Sequence, residues 1–258
     1  MARLATLRGA LDARFSPGIN GGLRVEATER APLELRGPFG GGALPGYYLR
    51  NTTAGILDGD CLDVVVTVES GAAVQVSATS ATKVYAGASS LDVRLRVEPG
   101  ALLVWGPQTT ILHAASAHRQ TTRLEVGWRA VIAEVLVMGR LARGERYQFE
   151  RFDNRLEVRR PESCEPAYRE SYSLTPGPDL AASMGGRGVL ASLHAVGFES
   201  SMVSKRIEAI LDGEGAEAGW SELPNDTGVV VRALSDSLSR AQGLLERLVE
   251  ELGGYAGL

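Results

Sequence analysis

The sequence predicts a mainly β fold, a stack of similar strand pairs with about two helices, the last of them near the C-terminus. Three nonapeptides of similar sequence recur at a constant spacing of 29 residues, at 68–76, 97–105 and 126–134. A unit that recurs at a fixed spacing indicates stacked copies of one structural element. Apolar and polar residues alternate within this region, as they do in half-buried strands. Apolar residues at helical spacing occur towards the C-terminus.

Each recurring unit is expected to contribute two strands joined by a turn. Residues 62–69 place leucine and valine on one face and acidic residues on the other, and residues 91–98 repeat this against a charged face. The turns contain Gly71 or Gly100, and glycine tolerates the positive φ that such turns require. The constant spacing of Ala72, Ala101 and Ala130 marks the same position in each unit.

The run from Val131 to Met138 differs because both of its faces are apolar, apart from Glu134. A strand with two apolar faces is covered on both sides. We therefore expect this strand to be central in its sheet.

The segments outside the repeat have other patterns. The first 46 residues are rich in glycine and proline, which suggests short edge strands and loops. The sequence TPGPD at 175–179 predicts a break, and residues 189–196 predict a strand.

Two helices are predicted near the C-terminus. The first covers 202–211. The second begins at about Asp236, a good N-cap, and stops at Gly253-Gly254. The apolar stripe of the second helix consists of Leu238, Ala241, Leu245, Leu248 and Leu252. This stripe either covers the sheet, which we favour, or docks another protein.

Composition excludes several classes of partner. The chain has 27 basic and 31 acidic side chains and a net charge of −4, so it has no basic field to attract nucleic acid. No apolar run approaches the roughly 20 residues that span a bilayer, so we expect no membrane partner and a cytoplasmic location. Cys61 and Cys164 are 103 positions apart, which fits neither a disulfide framework nor a thiolate metal site.

Patterns typical of catalysis are scarce. His113, His118 and His194 form no metal-binding spacing, and a lone histidine is more often a hydrogen-bonded structural residue. The chain has no GxSxG motif, and its serines have no general base nearby in sequence. A hydrolase is therefore not indicated.

Two groups of acidic residues are more informative. Asp58 and Asp60 flank Gly59 just before the first repeat strand, so their carboxylates either converge from one side or form an Asp-Gly turn. Glu134 interrupts an apolar strand, and a carboxylate there must be paired, bind a cation or line a wet passage. The pairing alternative would involve Arg140 or Arg143.

Two polar connections are candidates for recognition, because binding residues are often found on loops of a rigid sheet. One is the loop Thr79–Tyr85, and the other is the charged turn Gly139–Glu145 after the central strand. Either could equally be a solvated connection.

Four segments, taken in order, resemble the urease accessory protein UreD (UreH) family: NTTAGILDGDCL at 51–62, ATKVY at 81–85, PGALLVWGPQTTIL at 99–112 and EVLVMGRLARGE at 134–145. AGWSELPNDTGVVVRAL at 218–234 is also similar to that family. The resemblance covers most of residues 48–234, and we expect one UreD-like domain over residues 1–258.

The resemblance implies a non-enzymatic chaperone that binds apo-urease and, with UreF and the GTPase UreG, helps to deliver nickel. It also implies a right-handed β-helix-like stack of strands with two helices. The residues that match the family's motifs are Asp58, Gly59, Asp60, Thr82, Lys83, Tyr85, Gln108, Glu134, Gly139, Arg140, Gly144 and Glu145.

Two hypotheses follow about these residues. Asp58, Asp60 and Glu134 line a polar path for nickel, which is bound transiently because imidazole and thiolate ligands are few. Lys83, Tyr85, Arg140, Arg143 and Glu145 contact UreF or urease. Two alternatives remain: a saccharide-active β enzyme with Asp58 and Asp60 as its acid pair, and a structural β protein without a metal.

Overall fold

The computed structural model describes residues 6–39, 44–213 and 217–254. These residues form two sheets that face each other and three α-helices. No helix among them is long and apolar enough to cross a membrane.

The first sheet has seven strands in the order β13-β12-β10-β8-β5-β1-β2. Its members are β1 (Arg8–Pro17), β2 (Leu23–Arg30), β5 (Cys61–Val68), β8 (Gly87–Val97), β10 (Ser116–Val126), β12 (Arg151–Arg159) and β13 (Pro166–Leu174). The five strands from β1 to β12 run parallel, and the two edge strands are antiparallel to their neighbours.

The second sheet has the order β15-β16-β14-β11-β9-β6-β4-β3, with the short strand β7 also paired to β9. Its members are β3 (Leu33–Phe39), β4 (Gly46–Asn51), β6 (Ala73–Ala78), β7 (Thr82–Val84), β9 (Leu102–Leu112), β11 (Arg129–Val137), β14 (Val189–Val196), β15 (Glu217–Glu222) and β16 (Gly228–Ser235). The strands β4, β6, β9 and β11 are parallel.

The repeat corresponds to alternation of the chain between the sheets, because β5, β8 and β10 lie in the first sheet and β6, β9 and β11 in the second. In the first sheet Val68 pairs with Val97 and Val97 with Val126, so the spacing of 29 is kept. The prediction of a mainly β fold with stacked strand pairs is thus confirmed. That the strands form a right-handed β-helix-like stack stays a prediction.

The repeat is not fully kept in the second sheet. Leu103 pairs with Val74, 29 residues away, but its partner on the other side is Ala130, only 27 residues away. The cause is a shorter connection: residues 98–101 join β8 to β9, whereas only residues 127–128 join β10 to β11. Ala130 is therefore one pleat further along its strand than the equal spacing predicts.

The inner faces of the two sheets form the main core, as the alternating pattern predicts. Val64, Val66 and Val93 are at most 1% exposed, and Val74 and Leu103 face them from the second sheet. Gly71 and Gly100 have φ of 78° and 75°, so the turn glycines have the predicted role. The strand β11 is buried on both faces and lies in the middle of its sheet, which confirms its predicted central position.

The N-terminal segment differs in part from expectation. The strands β2 and β3 are edge strands as predicted, but β1 has ten residues and lies inside the first sheet, between β5 and β2. Leu11, Ala13 and Phe15 are nearly inaccessible, and they alternate with Asp12 and Arg14. This alternation is a strand signal, although glycine and proline are frequent around it.

The described residues contain three α-helices: α1 (Pro178–Ser183), α2 (Ser200–Asp212) and α3 (Leu238–Gly253). The two predicted helices are α2 and α3, and α1 begins at the predicted break, because proline suits the first helical turn. The cap of α3 is Ser237, whose hydroxyl accepts a hydrogen bond from the Arg240 amide, and not Asp236. Asp236 instead pairs with Arg187 at 2.7 Å.

The apolar stripe of α3 covers the outer face of the second sheet. Leu244, Leu245 and Leu248 are at most 2% exposed and pack with Val131 and Leu193 in a second core. The stripe therefore packs on the sheet, as favoured above, and leaves no apolar face for a partner.

Candidate functional site

Glu134 lies in the strand β11 and points into the space between the sheets. A β-bulge sets this arrangement: Ile132 pairs with Trp105, but Glu134 pairs with Gln108, so the opposite strand has one extra residue there. The bulge contains Gly106 and Pro107, and Gly106 has a φ of 119°. A Cβ at Gly106 would lie 2.1 Å from the Ala133 oxygen, so only glycine fits. The bulge thereby turns Gln108 inward beside Glu134.

Polar residues occupy one row across each sheet at this level. The neighbours in these rows are paired strand to strand by the register. We define the polar belt as Gln108, Glu134, Ser192 and Arg232 in the second sheet together with Gln120, Asn154 and Tyr172 in the first. Such a belt through an apolar core is costly unless its groups are hydrogen-bonded, which indicates a functional requirement.

The centre of the polar belt is a cavity of about 20 Å³ beside Glu134, enough for about one water molecule. Its polar lining includes Gln108, Gln120 and Ser192. Gln120 Nε2 donates a hydrogen bond of 2.6 Å to Glu134 Oε1. Glu134 is therefore held by an amide and not by Arg140 or Arg143, so the pairing alternative is wrong.

The environment of Glu134 raises the pKa of its carboxyl group to about 7. Burial is the main cause, the charge of Glu170 adds to it, and the Gln120 hydrogen bond and Arg232 oppose it. Near neutral pH this carboxyl group exchanges between its protonated and ionised forms, so it can bind a cation and release a proton.

Glu170 is a second inward-facing acid close to the polar belt. It accepts hydrogen bonds from Arg232 and Tyr168, and its Oε2 lies 3.3 Å from His194 Nε2. Burial acts to raise the pKa of Glu170, but the hydrogen bonds from His194, Tyr168 and Arg232 hold it well below its ordinary value. This carboxylate stays ionised at neutral pH.

A groove of about 650 Å³ outside the first sheet adjoins the polar belt. Gln120 and Tyr172 line both this groove and the inner cavity. These two side chains therefore lie between Glu134 and solvent.

Asp58 and Asp60 hold the turn before β5. Asp60 is 2% exposed, and its two oxygens accept hydrogen bonds from the Leu7 amide at 3.1 Å and the Leu57 amide at 2.9 Å. Asp58 is exposed and accepts one from the Ala88 amide at 2.9 Å. These contacts are the ones expected if the two aspartates form an Asp-Gly turn. In the described part of the chain, neither aspartate contacts Glu134. Their part in a metal path stays a prediction.

Replacing Asp60 with alanine is expected to lower the free energy of unfolding by about 1–2 kcal/mol, because two part-buried amides lose their acceptor. Asp58→Ala is the matched control with a smaller expected loss, since its amide partner is at the surface. Urea titration of both variants measures the difference. Equal losses would contradict the structural role assigned to Asp60.

The residues predicted to contact UreF or urease lie together at one end of the second sheet. Tyr85 packs edge-on against the His113 ring with centroids 4.7 Å apart. Arg140 binds Glu145 through two guanidinium nitrogens, and Glu145 Oε1 accepts the Ala114 amide at 3.0 Å. Arg140 is part-exposed whereas Glu145 is 6% exposed.

Lys83 and Arg143 complete this group, which we call the basic end cluster: Lys83, Tyr85, His113, Arg140, Arg143 and Glu145. Burial lowers the pKa of His113, and the charges of Arg140, Lys83 and Arg143 lower it further, while Glu145 opposes them. The chain thus presents cationic side chains around an aromatic pair. Sequence reasoning left His113 out of this group because a lone histidine has no distinguishing spacing.

Among the described residues, no group of three or more histidine, cysteine, aspartate or glutamate side chains is arranged to hold a metal ion. The resemblance had named Gln108, but the other residues of the polar belt and Glu170 were missed by sequence reasoning. Their sequence signal is weak: Tyr168, Glu170 and Tyr172 alternate on one face of β13.

The chain matches the family model described as UreD urease accessory protein over residues 7–256. A urease accessory protein UreD of Haloarcula marismortui is 34% identical over 257 residues, covering 92% of this chain and 83% of that protein. UreD 2 of Methylorubrum populi is 38% identical over 213 residues, covering 76% of this chain and 70% of that protein. UreD 1 of Brucella abortus is 29% identical over 265 residues, covering 97% and 91%. The chain therefore belongs to the UreD family of urease accessory proteins.

Proposed function

We propose that this protein is a cytoplasmic scaffold of urease maturation that binds apo-urease and, with UreF and UreG, helps to deliver nickel to the urease active site. Membership of a urease accessory family supports a role in urease maturation. The chain is an accessory protein and not an enzyme, because the family is one of accessory proteins. The saccharide-enzyme alternative is further weakened by Asp60, whose two oxygens are occupied by backbone amides.

The observation that carries the nickel part of the proposal is the polar belt. An ionisable acid, Glu134, faces a small polar cavity inside an otherwise apolar core, and a second acid, Glu170, lies near it. Buried carboxylates lower the cost of bringing a divalent ion into protein. Oxygen ligands bind nickel less strongly than imidazole or thiolate sets, so the ion can leave again.

One more polar group faces inward one row away from the polar belt, beside Val93 and Leu156. Thr122 faces inward two residues after Gln120 and is 2% exposed. Its hydroxyl has no hydrogen-bond partner among the described residues. A buried hydroxyl without a partner is typical of a place that water or a ligand occupies. The cavity of about 20 Å³ is small, so passage of an ion requires movement of Gln120 and Tyr172.

In this proposal nickel passes as cargo and no metal is bound permanently. Asp58 and Asp60 remain candidates for the outer part of the path. The basic end cluster is the proposed contact for UreF or urease, because arginine and tyrosine side chains are enriched at interfaces.

The partner contact is tested by reversing two exposed charges of the basic end cluster, Lys83→Glu and Arg143→Glu. Retention of UreF or apo-urease in a pull-down is expected to fall at least about tenfold, since like charges across an interface repel. Lys205→Glu with Arg240→Glu, on the exposed sides of α2 and α3, makes the same change in net charge. Undiminished binding, or equal loss in both variants, would refute this contact.

A further inference from the structure

A groove of about 860 Å³ lies at the end of the sheets opposite the basic end cluster. It forms where β14 ends, β16 begins and the helix α2 begins. Its apolar lining includes Pro99, Trp128 and Leu223. Trp128 is 45% exposed, one of the few large apolar side chains so exposed in the described residues.

The groove is preformed. Gly197 and Gly228 have φ of 79° and 144°, and a Cβ at either would lie within 2.0 Å of a backbone oxygen. The Arg129 guanidinium packs between two rings, 5.1 Å from the centroid of Trp128 and 5.4 Å from that of Phe198. These contacts fix the floor and the exposed indole, so a ligand would find them already in place.

The groove carries more acids than cations. Arg160 lines it together with four acids, Glu162, Glu199, Glu222 and Asp226, and the Arg129 guanidinium packed on Trp128 is a second cation there. Within the described residues none of the four forms an ion pair.

The outer face of the first sheet is different. Five of its acids lie within 3.5 Å of an arginine, namely Asp63, Asp92, Glu125, Asp153 and Glu157, whereas Asp12 forms no ion pair among the described residues. The chain therefore pairs most acids of this open face, whereas none of the four groove acids forms an ion pair within the described residues. Glu222 accepts a hydrogen bond from the Ser200 hydroxyl. Acids that share a groove with an exposed indole and form no internal ion pair are complementary to a cationic ligand.

We infer that this groove docks a basic peptide segment of another protein, with lysine or arginine side chains against the four acids and an apolar side chain against Trp128. An aromatic anchor in a concave site with a charged rim is the arrangement that concentrates binding energy in protein interfaces. The inference stands on the groove alone and does not depend on the nickel path.

The probe is a short fluorescein-labelled peptide of lysine, arginine and leucine, and its binding is measured by fluorescence anisotropy. We expect Glu162→Lys with Glu199→Lys to weaken binding at least about tenfold, because two attractions become repulsions. Glu246→Lys with Glu250→Lys, on the exposed side of α3, makes the same change in net charge and is expected to leave binding within about twofold. Trp128→Ser tests the apolar contact without changing the charge and is also expected to weaken binding at least about tenfold.

Three further measurements complete the test. A peptide of glutamate, aspartate and leucine is expected not to bind, and a peptide of lysine, arginine and glycine is expected to bind more weakly than the leucine peptide. Light scattering is expected to show no self-association of the chain through the groove, that is, none that is lost in the Trp128→Ser variant. The inference is overturned if the groove variants bind normally, if the α3 variant loses binding equally, if the acidic peptide binds, or if a second copy of the chain occupies the groove. Circular dichroism establishes that each variant is folded.

Discussion

Replacing Glu134 with glutamine is expected to lower nickel loading of urease by at least about tenfold, which corresponds to about 1.4 kcal/mol in the barrier. Glutamine keeps the size of the side chain and can still accept the Gln120 hydrogen bond, but it cannot offer a negative charge to the ion. The measurement is urease activity after maturation in the presence of the variant, together with nickel per active site. Complex formation with urease is expected to be unchanged, because Glu134 faces the small cavity between the sheets and is only partly exposed.

Glu246→Gln is the matched control, because it removes one carboxylate from the exposed side of α3. Unchanged loading with Glu134→Gln, or equal loss with Glu246→Gln, would contradict a path at Glu134. Loss of the urease complex would instead indicate damage to the scaffold.

The same variant has a second signature, in stability. The folded protein keeps a proton on Glu134 up to a pKa of about 7, whereas the unfolded chain releases it near 4.5. Folding is therefore disfavoured progressively as pH rises from the lower value to the higher one. Glutamine does not ionise, so Glu134→Gln is expected to be more stable than the wild type at pH 8, by on the order of 2 kcal/mol, and similar at pH 4. If Glu134→Gln is more stable than the wild type but loads nickel poorly, the loss of loading does not come from damaged packing. Thermal melting across this pH range measures the difference in stability.

Replacing Glu170 with alanine is expected to have the largest effect on stability, a loss of about 2–3 kcal/mol. The change leaves Arg232, His194 and Tyr168 without their common acceptor. This loss in the free energy of unfolding is small for a buried ion pair, because 37% of the Arg232 side chain is exposed. Urea titration at neutral pH measures the loss.

The pH dependence distinguishes this effect from simple loss of packing. The pKa of Glu170 is held below its ordinary value in the folded protein. Its stabilisation is therefore present above the ordinary pKa and is lost as pH falls through the folded pKa. The wild type and Glu170→Ala are expected to converge in acid. Glu165→Ala, at an exposed acid just before the same strand, is the control, and a gap between the Glu170 variant and wild type that persists in acid would contradict the ion-pair account.

The strands of the repeat could be predicted because their pattern is local. The alternation of apolar and polar residues identified 62–69 and 91–98 as half-buried strands. The two apolar faces of β11 identified it as a central strand. The strand β1 was underestimated because glycine and proline around it obscured the alternation of Leu11, Ala13 and Phe15. The shift of Ala130 against Ala101 was not predictable from equal spacing, because turn length sets register.

Some residues of the candidate site could also be found from the sequence, and others could not. Glu134 could be found because a lone carboxylate in an apolar strand is unusual in any sequence. Its companions could not: Ser192 and Arg232 come from strands far along the chain, and Gln108 faces inward only because of the bulge at Gly106. Asp58 and Asp60 were grouped with Glu134 in the hypothesis of a metal path, yet their oxygens accept hydrogen bonds from backbone amides.

The sequence by itself determined the mainly β class, the stacked units, the two larger helices and the family, because alternation, spacing and motif order are local properties of the chain. Only the tertiary structure decided that one carboxylate meets a belt of polar side chains while two others hold a turn. Strand register and a single bulge fix these neighbours, and the free energy that selects them is summed over contacts between distant segments.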